Sequence, residues 1–579
     1  MDIFNLLTFI GGLALFLFGM NVMGKFLEKR AGDKLKDIIG KLTSNKFVGL
    51  LTGLGVTAII QSSSATTVMV VGFVNSGIMN LAQAINVIMG ANIGTTVTSW
   101  LLSLTGISGS NIFVKLLKPS SFSPILALVG IVLVMFSKKD KKKDTGMILL
   151  GFATLMFGME TMSGAVSGLK NNETFKHLFI AFENPILGVL VGALVTAVIQ
   201  SSSASIGILQ AFAITGQISY SAAIPIILGQ NIGTCITALL SAIGANKNAK
   251  RASLVHLFFN IFGTIIFMVI FIIIKYAVKL PLLDESASLV GIAIVHTAFN
   301  IFSTIIIFPM GKLLEKLVNI LLPEGKGKEK VQTLDDRLLI TPAIALEQTK
   351  LKIVEMAKKA GDSLCESLDG LISRTSCIEK TKQYEDETDK LEDVIGTYLV
   401  KLSSKELEEY ESMMAGEYMK IIGDLERIAD HGLNLAESNE ELISKSMAFS
   451  PKAIEELTVL SKAVRNVWNI TFDALVKNDD SEAMEVEPLE QVVDELKLAL
   501  RDRHIIRLQK EECSIDLGFV WSDILTNLER ISDHCANIAG CIIDGKKSNM
   551  NTHKNINKYK YQSEQFKEKY NEYKGMYTI

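Results

Sequence analysis

Two long stretches of this chain, residues 47–114 and residues 184–246, contain no Asp, Glu, Lys, Arg or His. A segment in water would expose charged side chains at some of these positions, whereas a segment inside a bilayer excludes them. Hydrophobic residues make up 49% of the chain, yet all four charged types are abundant after residue 322. The sequence therefore predicts a membrane region over residues 1–322, followed by a soluble region.

Charge balance and cysteine placement exclude several classes of function. The formal net charge is −3, and no basic stripe is present that could neutralise phosphates, so we expect no nucleic-acid partner. The six cysteines show no CxxC spacing, which argues against a disulfide framework or a zinc site and favours a reducing compartment. P-loop, GxSxG and HExxH motifs are lacking, so the sequence predicts neither an enzyme nor an ATP-driven pump.

An internal repeat organises the membrane region. The segment VTAIIQSSSATT at residues 56–67 returns as VTAVIQSSSASI at residues 195–206. The same offset, 200 − 61 = 139 positions, relates GANIGTTVT at residues 90–98 to GQNIGTCIT at residues 229–237. Such a repeat is typical of a transporter built from two halves, with its binding site between them.

Basic residues indicate that the two copies are inverted. Residues 25–46 carry seven Lys or Arg, whereas the equivalent residues 164–185 carry two. The next equivalent pair shows the opposite bias, because residues 103–111 are uncharged and residues 241–251 contain three basic side chains. By the positive-inside rule, a loop that lies in the cytoplasm in the first copy has its equivalent outside in the second copy, and the reverse holds for the next loop.

Apolar segments of about 20 residues can cross a bilayer as helices. We predict seven crossings, with the N-terminus outside and the C-terminus in the cytoplasm, over residues 3–24, 81–104, 113–136, 145–168, 220–240, 252–276 and 288–310. Residues 47–76 and 185–216 have arms of about 13 residues on either side of the QSSS motif, too short to cross. We predict that each forms a re-entrant hairpin with its serines at the tip.

A hairpin tip inside the membrane presents free N–H groups and the positive end of a helix dipole, which together attract an anion. Because no Lys or Arg is expected near the tips, a co-transported cation would have to supply compensating charge. The predicted substrate-binding residues are Gln61, Ser62, Ser63, Ser64, Gln200, Ser201, Ser202, Ser203, Asn92 and Asn231.

Sodium accepts hard oxygen ligands, which hydroxyls, the two asparagines and loosened carbonyls at residues 90–94 and 229–233 would offer. The predicted sodium ligands are Thr66, Thr67, Ser205, Thr95 and Thr234. The alternative is purely structural, because small hydroxyl residues are common where membrane helices pack closely. Duplication of the motif in inverted copies favours the functional interpretation.

The paired QSSSA motifs, the paired GxNIGT motifs and the inverted arrangement resemble the type II sodium–phosphate cotransporter family, in its bacterial form with an appended PhoU-like domain. The resemblance implies phosphate as substrate and Na⁺ as coupling ion. One departure is that Ile206 stands where the first copy has Thr67, so the number of sodium sites stays open.

A second similarity links VHLFFNIFGTII at residues 255–266 with VHTAFNIFSTII at residues 295–306. It places His256 with Asn260, and His296 with Asn300, on one helical face each. We favour hydrogen bonding between helices as their role, while support of the substrate site and proton coupling stay open.

The soluble region follows a predicted linker over residues 323–340, which includes EGKGKEK. LERIADHGLNLAE at residues 425–437 is echoed by LERISDHCANIAG at residues 528–540, an offset of 528 − 425 = 103 positions. Helical periodicity predicts two antiparallel three-helix bundles over residues 341–545. Residues 546–579 are predicted to be a mobile or partly helical polar tail.

The repeated motif resembles the E-x-x-x-D signature of PhoU domains. Two carboxylates one helical turn apart could chelate a divalent or transition metal ion, and the candidate ligands are Glu426, Asp430, Glu529 and Asp533. The alternative is an ion-paired surface, because Arg427, Arg530, His431 and His534 lie beside them. The resemblance, more than the spacing, favours the metal.

Together these features predict an all-α protein: a polytopic transporter over residues 1–322 with a cytoplasmic PhoU-like pair of bundles. Its inverted repeats span residues 3–137 and 145–276, with an extra crossing at residues 288–310. The predicted function is sodium-coupled phosphate transport across the cytoplasmic membrane by alternating access, with the bundles regulatory. A carrier of another oxyanion or dicarboxylate, and a membrane-anchored phosphate sensor, are the alternatives. Expected partners are phosphate, membrane lipid, and a cytoplasmic regulatory ligand or a second copy.

Overall fold

A computed structural model describes residues 3–40, 45–106, 118–171, 181–323, 334–405, 407–547 and 564–579. Within these ranges the regular structure is helical, apart from an isolated bridge between Ser219 and Ser286. The chain forms two compact units, Met1–Thr341 and Pro342–Ile579.

Thirteen α-helices are described in the first unit. They are α1 (Ile3–Gly40), α2 (Lys46–Ile60), α3 (Ser63–Asn75), α4 (Leu81–Ser103), α5 (Pro119–Phe136), α6 (Asp140–Ser167), α7 (Pro185–Ile199), α8 (Ser202–Ala213), α9 (Tyr220–Gly233), α10 (Cys235–Ser241), α11 (Lys247–Ile273), α12 (Leu289–Ile307) and α13 (Gly311–Leu321). Short 3₁₀ or π turns extend several of them, at Leu104–Gly106, Gly168–Asn171, Ile274–Val278, Pro281–Asp284 and Phe308–Met310.

Six helical segments in the described ranges are long and apolar enough to cross a membrane: Ile3–Arg30, Leu81–Gly106, Lys141–Ser167, Tyr220–Ser241, Lys247–Val278 and Leu289–Leu321. They coincide with six of the seven predicted crossings. The seventh, residues 113–136, lies partly outside the described residues, and its described part is the 18-residue helix α5.

The two re-entrant hairpins form as predicted, each from a pair of short helices. The arms α2 and α3 have 15 and 13 residues, and α7 and α8 have 15 and 12. At 1.5 Å per residue even the longest arm extends about 22 Å, which is short of the roughly 30 Å hydrocarbon core. Neither arm of a hairpin could therefore cross a bilayer alone, as a re-entrant hairpin requires.

Glycines in the GxNIGT motifs pack each hairpin against the helix that follows it. A Cβ added at Gly90 would lie 1.9 Å from the carbonyl oxygen of Leu50, and one at Gly229 would lie 2.0 Å from that of Val189. The predicted loosening at residues 90–94 is wrong, because α4 continues unbroken from Leu81 to Ser103. The glycines serve close packing there. The loosening predicted at residues 229–233 is wrong as well, because these residues lie within α9, and the helix is interrupted only at Thr234, before α10 begins at Cys235.

Helices α1 and α6, the first of each repeat, also meet through glycine. A Cβ added at Gly19 would lie 2.3 Å from the backbone nitrogen of Leu155, and one at Gly158 would lie 2.3 Å from that of Phe16. These two contacts are equivalent, because each residue is 139 positions from its counterpart. Beyond the glycines, Lys29 Nζ forms an ion pair with Asp144 Oδ1 at 3.0 Å.

The end of the first unit is a segment, Leu334–Thr341, that we call the strap. It contains a 3₁₀ turn at Asp336–Ile340 and packs on α3, where the side chain of Leu338 is fully buried against Gly72. Asn75 Nδ2 donates to Asp335 Oδ2 at 2.7 Å, and Arg337 Nε donates to the carbonyl of Ser241 at 2.6 Å. The sequence places most of this segment in a linker, but these contacts make it part of the membrane unit.

The second unit contains the two predicted three-helix bundles. The first is formed by α14 (Pro342–Ser373), α15 (Ile378–Ser403) and α16 (Glu409–Ser444), and the second by α17 (Pro451–Lys477), α19 (Val486–Gln509) and α20 (Ile515–Lys547), with the short α18 (Asp480–Ala483) before α19. The predicted tail contributes α21 (Glu564–Met576), which buries Phe566 and Tyr573.

Candidate functional site

The two hairpin tips have the same backbone geometry. Gln61 and Gln200 both adopt φ 60° and ψ 23°, a left-handed conformation that ends α2 and α7. The next residue caps the second arm: Ser62 Oγ accepts from Ala65 N, and Ser201 Oγ accepts from Ala204 N, each at 3.2 Å. The glutamine turns the chain and the first serine starts the new helix, which explains why the motif is repeated with both residue types.

Both tips line one cavity of about 560 Å³. Its polar wall includes all eight predicted tip residues, Gln61, Ser62, Ser63, Ser64, Gln200, Ser201, Ser202 and Ser203. Ser64 Oγ donates to the carbonyl oxygen of Gln200 at 3.3 Å, so the tips meet directly. Residues of the first turn of each second arm, where a helix leaves N–H groups without helical partners, line this cavity.

Helix α1 supplies a third wall that the sequence interpretation missed. Asn21, Lys25 and Glu28 line the same cavity. A Cβ added at Gly24 would lie 3.3 Å from the carbonyl oxygen of Ile60, which shows how closely α1 approaches the first tip. The expectation that no basic residue lies near the tips is wrong, because α1 continues as a helix and brings Lys25 to the cavity wall.

Asn92 and Asn231 lie outside the cavity lining. Asn92 Oδ1 is 3.2 Å from His256 Nε2, and Asn231 Oδ1 accepts from Asn300 Nδ2 at 3.4 Å. Both asparagines also donate to the carbonyl four residues earlier on their own helix. They belong to a buried polar seam between helices rather than to the tip surface.

The repeated histidine pattern forms the rest of that seam. Ser99 Oγ donates to the carbonyl of Thr96, so its contact of 3.0 Å with His296 Nδ1 requires the histidine to be the donor. His256 Nε2 must likewise donate to Asn92 Oδ1, because an amide oxygen can only accept a hydrogen bond. Both histidines therefore bond α4 to α11 or α12, which is the role that the sequence favoured.

The predicted sodium ligands differ between the copies. In the first copy, Thr57 Oγ1 donates to Thr66 Oγ1 at 3.0 Å. The equivalent residues of the second copy are Thr196 and Ser205, and neither buried hydroxyl has a hydrogen-bond partner among the described residues. The hydroxyls of Thr67, Thr95 and Thr234 each donate to a carbonyl on the preceding helical turn.

A second cavity of about 460 Å³ lies along α6. Its lining includes Glu160, Ser163, Gly164 and Ser167. These positions are equivalent to Asn21, Gly24, Lys25 and Glu28 in the first copy, each shifted by 139 residues, as from 28 to 167. None of the tip serines or glutamines lines this cavity. In this conformation the tips therefore face only one of two equivalent cavities.

The second unit groups carboxylates on the bundles. Ligand oxygens of Glu490, Asp494 and Asp533 lie within 4.8 Å of one another. Of the predicted ligands only Asp533 belongs to this group, because Glu529 pairs with Lys497 Nζ at 2.8 Å. Glu490 and Asp494 have the same spacing of four as the predicted pairs, and that signal could have identified them.

The first bundle has a related acidic cluster around Glu426 and Asp430. Burial, and then the neighbouring Asp430 and Glu392 carboxylates, raise the pKa of Glu426 to about 7. In the second bundle the pKa of Asp533 is also raised, mainly by burial and next by Glu529. Like charges held together in this way favour a bound proton or cation.

Comparison with known families matches both units. The profile of the family described as Na⁺/Pi-cotransporter matches residues 15–164 and again residues 154–304, one match for each repeat. The profile described as PhoU domain matches residues 353–438 and 457–542, one match for each bundle.

Individual relatives cover the chain to different extents. YjbB of Escherichia coli strain K12, named as an inorganic phosphate export protein, is 23% identical over 554 residues, which cover 93% of this chain and 98% of YjbB. YqeW of Bacillus subtilis strain 168, an uncharacterized protein, is 31% identical over 261 residues, 45% of this chain and 80% of YqeW. The sodium-dependent phosphate transport protein 2A of Rattus norvegicus is 39% identical over 99 residues, 16% of this chain and 15% of that protein.

Among solved structures, PhoU from Pseudomonas aeruginosa is 20% identical and covers 35% of this chain and 98% of its own, with a TM-score of 0.34.

Proposed function

We propose, from the premise that this chain belongs to the Na⁺/Pi-cotransporter family, that it moves inorganic phosphate across the cytoplasmic membrane together with Na⁺ by alternating access. The observation that carries the proposal is the single cavity lined by both QSSS tips. Two helix N-termini and a set of hydroxyls then converge on one small volume, which suits a tetrahedral oxyanion with several acceptor oxygens.

Phosphate binding at the tips rests on three kinds of donor. The first turns of α3 and α8 have N–H groups without helical partners, serine side chains line the same cavity, and the basic residue Lys25 forms part of its wall. Because this cavity lies beside the basic part of α1, the positive-inside rule assigns it to the cytoplasmic side. The second unit would then lie in the cytoplasm as well, because the chain enters it from the same side of the membrane.

Sodium coupling is supported by the second copy. Thr196 and Ser205 offer two buried oxygens that lack protein partners among the described residues, and buried polar atoms are normally satisfied. A dehydrated Na⁺ requires such hard oxygen ligands. The first copy satisfies the equivalent pair internally through Thr57 and Thr66, so we place the ion at the second tip.

Alternating access is supported by the two equivalent cavities. One is lined by α1 and both tips, and the other by the matching face of α6 without the tips. A conformation in which the repeats exchange their arrangements would open the second cavity to the tips and close the first. The gradients of phosphate and sodium would decide whether net movement is import or export.

The bundles are proposed to be regulatory and to bind a divalent or transition metal ion. Glu490, Asp494 and Asp533 fit a hard cation because three carboxylate oxygens already lie together. We propose no catalytic role for the bundles. Their expected binding partner is a cytoplasmic regulatory ligand or a second copy of this chain.

Counterflow of labelled phosphate into proteoliposomes tests the proposal, with Na⁺ and then K⁺ as the only cation. Sodium-dependent exchange is expected. Equal exchange in both salts would refute sodium coupling, and exchange of sulfate or succinate in place of phosphate would refute the substrate. Phosphate binding without any exchange would favour a sensor.

A further inference from the structure

A carboxylate lies in the wall of an anion site. Glu28 lines the tip cavity one helical turn beyond Gly24, the residue at which α1 approaches Ile60 at the first tip. Residues four apart on a helix are about 6 Å from each other on the same face. Glu28 is therefore near enough to the tips to influence which anion they hold.

The hydrogen bonding of Glu28 leaves one oxygen available. Thr341 Oγ1 donates to Glu28 Oε1 at 2.7 Å, while Oε2 has no hydrogen-bond partner in the described part of the chain. Accepting this bond fixes the carboxylate in one orientation. Because Glu28 lines the cavity, its second carboxylate oxygen is the acceptor that remains for a ligand there.

A directed carboxylate discriminates between oxyanions by their protons. Phosphate at neutral pH keeps at least one P–OH, which can donate to a carboxylate, whereas sulfate keeps no proton and is repelled. A site built to bond a substrate hydroxyl rejects an analogue that lacks it far more strongly than a difference in size could achieve. We propose that Glu28 is the specificity-determining residue of the tip cavity and accepts the P–OH proton of phosphate, an inference that rests on the proposed function.

The positive charge of Lys25 offsets the negative charge of Glu28 and so makes a carboxylate compatible with an anion site. Lys25 lines the same cavity three residues before Glu28, so the cavity wall on α1 contains one basic and one acidic residue. The N–H groups and serine hydroxyls at the tips bind the unprotonated oxygens. Glu28 binds the protonated one.

Thr341 acts as a positioning residue for Glu28. It ends the strap, whose neighbouring residue Ile340 lines the cavity itself. The strap is held by buried Leu338 and by the bond from Asn75 to Asp335. The orientation of the specificity carboxylate is thus fixed from a segment that is 313 residues away in the sequence.

Competition during phosphate counterflow tests the role of Glu28. In the wild-type protein we expect arsenate, which keeps a proton, to compete, and sulfate to compete at least about 100-fold more weakly than phosphate. In Glu28→Gln the sulfate-to-phosphate ratio of inhibition constants should fall at least about tenfold, because the amide neither repels sulfate nor accepts as strongly.

Glu315→Gln is the matched control. Glu315 lies on α13, is half-buried, and forms no ion pair in the described ranges, so its replacement removes the same charge away from the cavity. It should keep the wild-type ratio. An unchanged ratio in Glu28→Gln would overturn the proposal.

Thr341→Val provides a second test that leaves Glu28 in place. We expect the KM for phosphate to rise several-fold while kcat is kept, with weaker exclusion of sulfate, and we expect Thr341→Ser to restore both. Wild-type selectivity in Thr341→Val would refute the positioning role. Absence of phosphate exchange in the wild-type protein would instead refute the proposed function, so the two failures are distinguishable.

Discussion

The serines at each tip combine two tasks, since Ser62 and Ser201 cap a helix and also line the cavity. Replacing Ser62, Ser63 and Ser64 together by Ala should abolish phosphate exchange, because the hydroxyl donors of one tip are lost. Loss of the cap should lower the free energy of unfolding by only about 1 kcal/mol.

The measurement is counterflow together with the thermal stability of the detergent-purified protein. Replacing Ser201, Ser202 and Ser203 together by Ala makes the same test at the second tip. Full exchange in either variant would show that the tips are not the binding site.

The sodium proposal can be tested at a single hydroxyl. Thr196→Val removes one of the two unpartnered oxygens and keeps the side-chain volume, so the Na⁺ concentration for half-maximal phosphate exchange should rise several-fold. Thr57→Val makes the same change at the equivalent position, where the hydroxyl already donates to Thr66, and should have the smaller effect. A larger effect in Thr57→Val would move the ion to the first tip.

The pKa of Glu426, raised to about 7 from an ordinary 4.5, predicts how the stability of the second unit depends on pH. The folded state binds a proton that the unfolded state has released, so stability should fall as pH rises from about 4.5 to about 7. Thermal unfolding of the protein and of Glu426→Gln measures this, and a flat profile in both would contradict it.

At the scale of elements, the closest contacts between helices are made at glycines. Gly90→Ala should destabilise the protein by about 3 kcal/mol or more, because its Cβ would overlap the Leu50 carbonyl in α2. Gly55 lies on the same hairpin arm with no heavy atom within 4 Å of an added Cβ. Gly55→Ala should therefore be neutral or slightly stabilising. Equal melting temperatures for the two variants would disprove this packing.

The helical hairpins and the bundles were predictable from the sequence, for physical reasons. The hairpins followed from arms too short to cross, and the bundles from helical periodicity, and the family matches confirm the resemblance. The cavity wall on α1 was not predictable, because Lys25 and Glu28 belong to a basic run that sets membrane orientation. The structure brings them to the tips, because α1 continues beyond the predicted crossing and both residues line the tip cavity. The helix break expected at residues 90–94 failed because Gly there permits close packing as readily as unwinding.

At the scale of the whole molecule, the strap is the last segment of the membrane unit. A chain shortened after Thr341 should stay folded and exchange phosphate, because it keeps the contacts of Leu338 and Arg337. A chain shortened after Leu322 loses them and should be less stable and less selective. Comparing melting temperature and counterflow in the two checks this, and equal behaviour would mean that the strap contributes nothing.

The contact between α1 and α6 has a consequence for the origin of the molecule. Gly19 meets Leu155 as Gly158 meets Phe16, so the same patch is used on both sides of the contact. That is the property of an isologous interface in a two-fold dimer. A single ancestral half that inserted into the membrane in both senses would already have possessed it. Duplication and fusion of its gene would then have joined two partners whose interface needed no new surface.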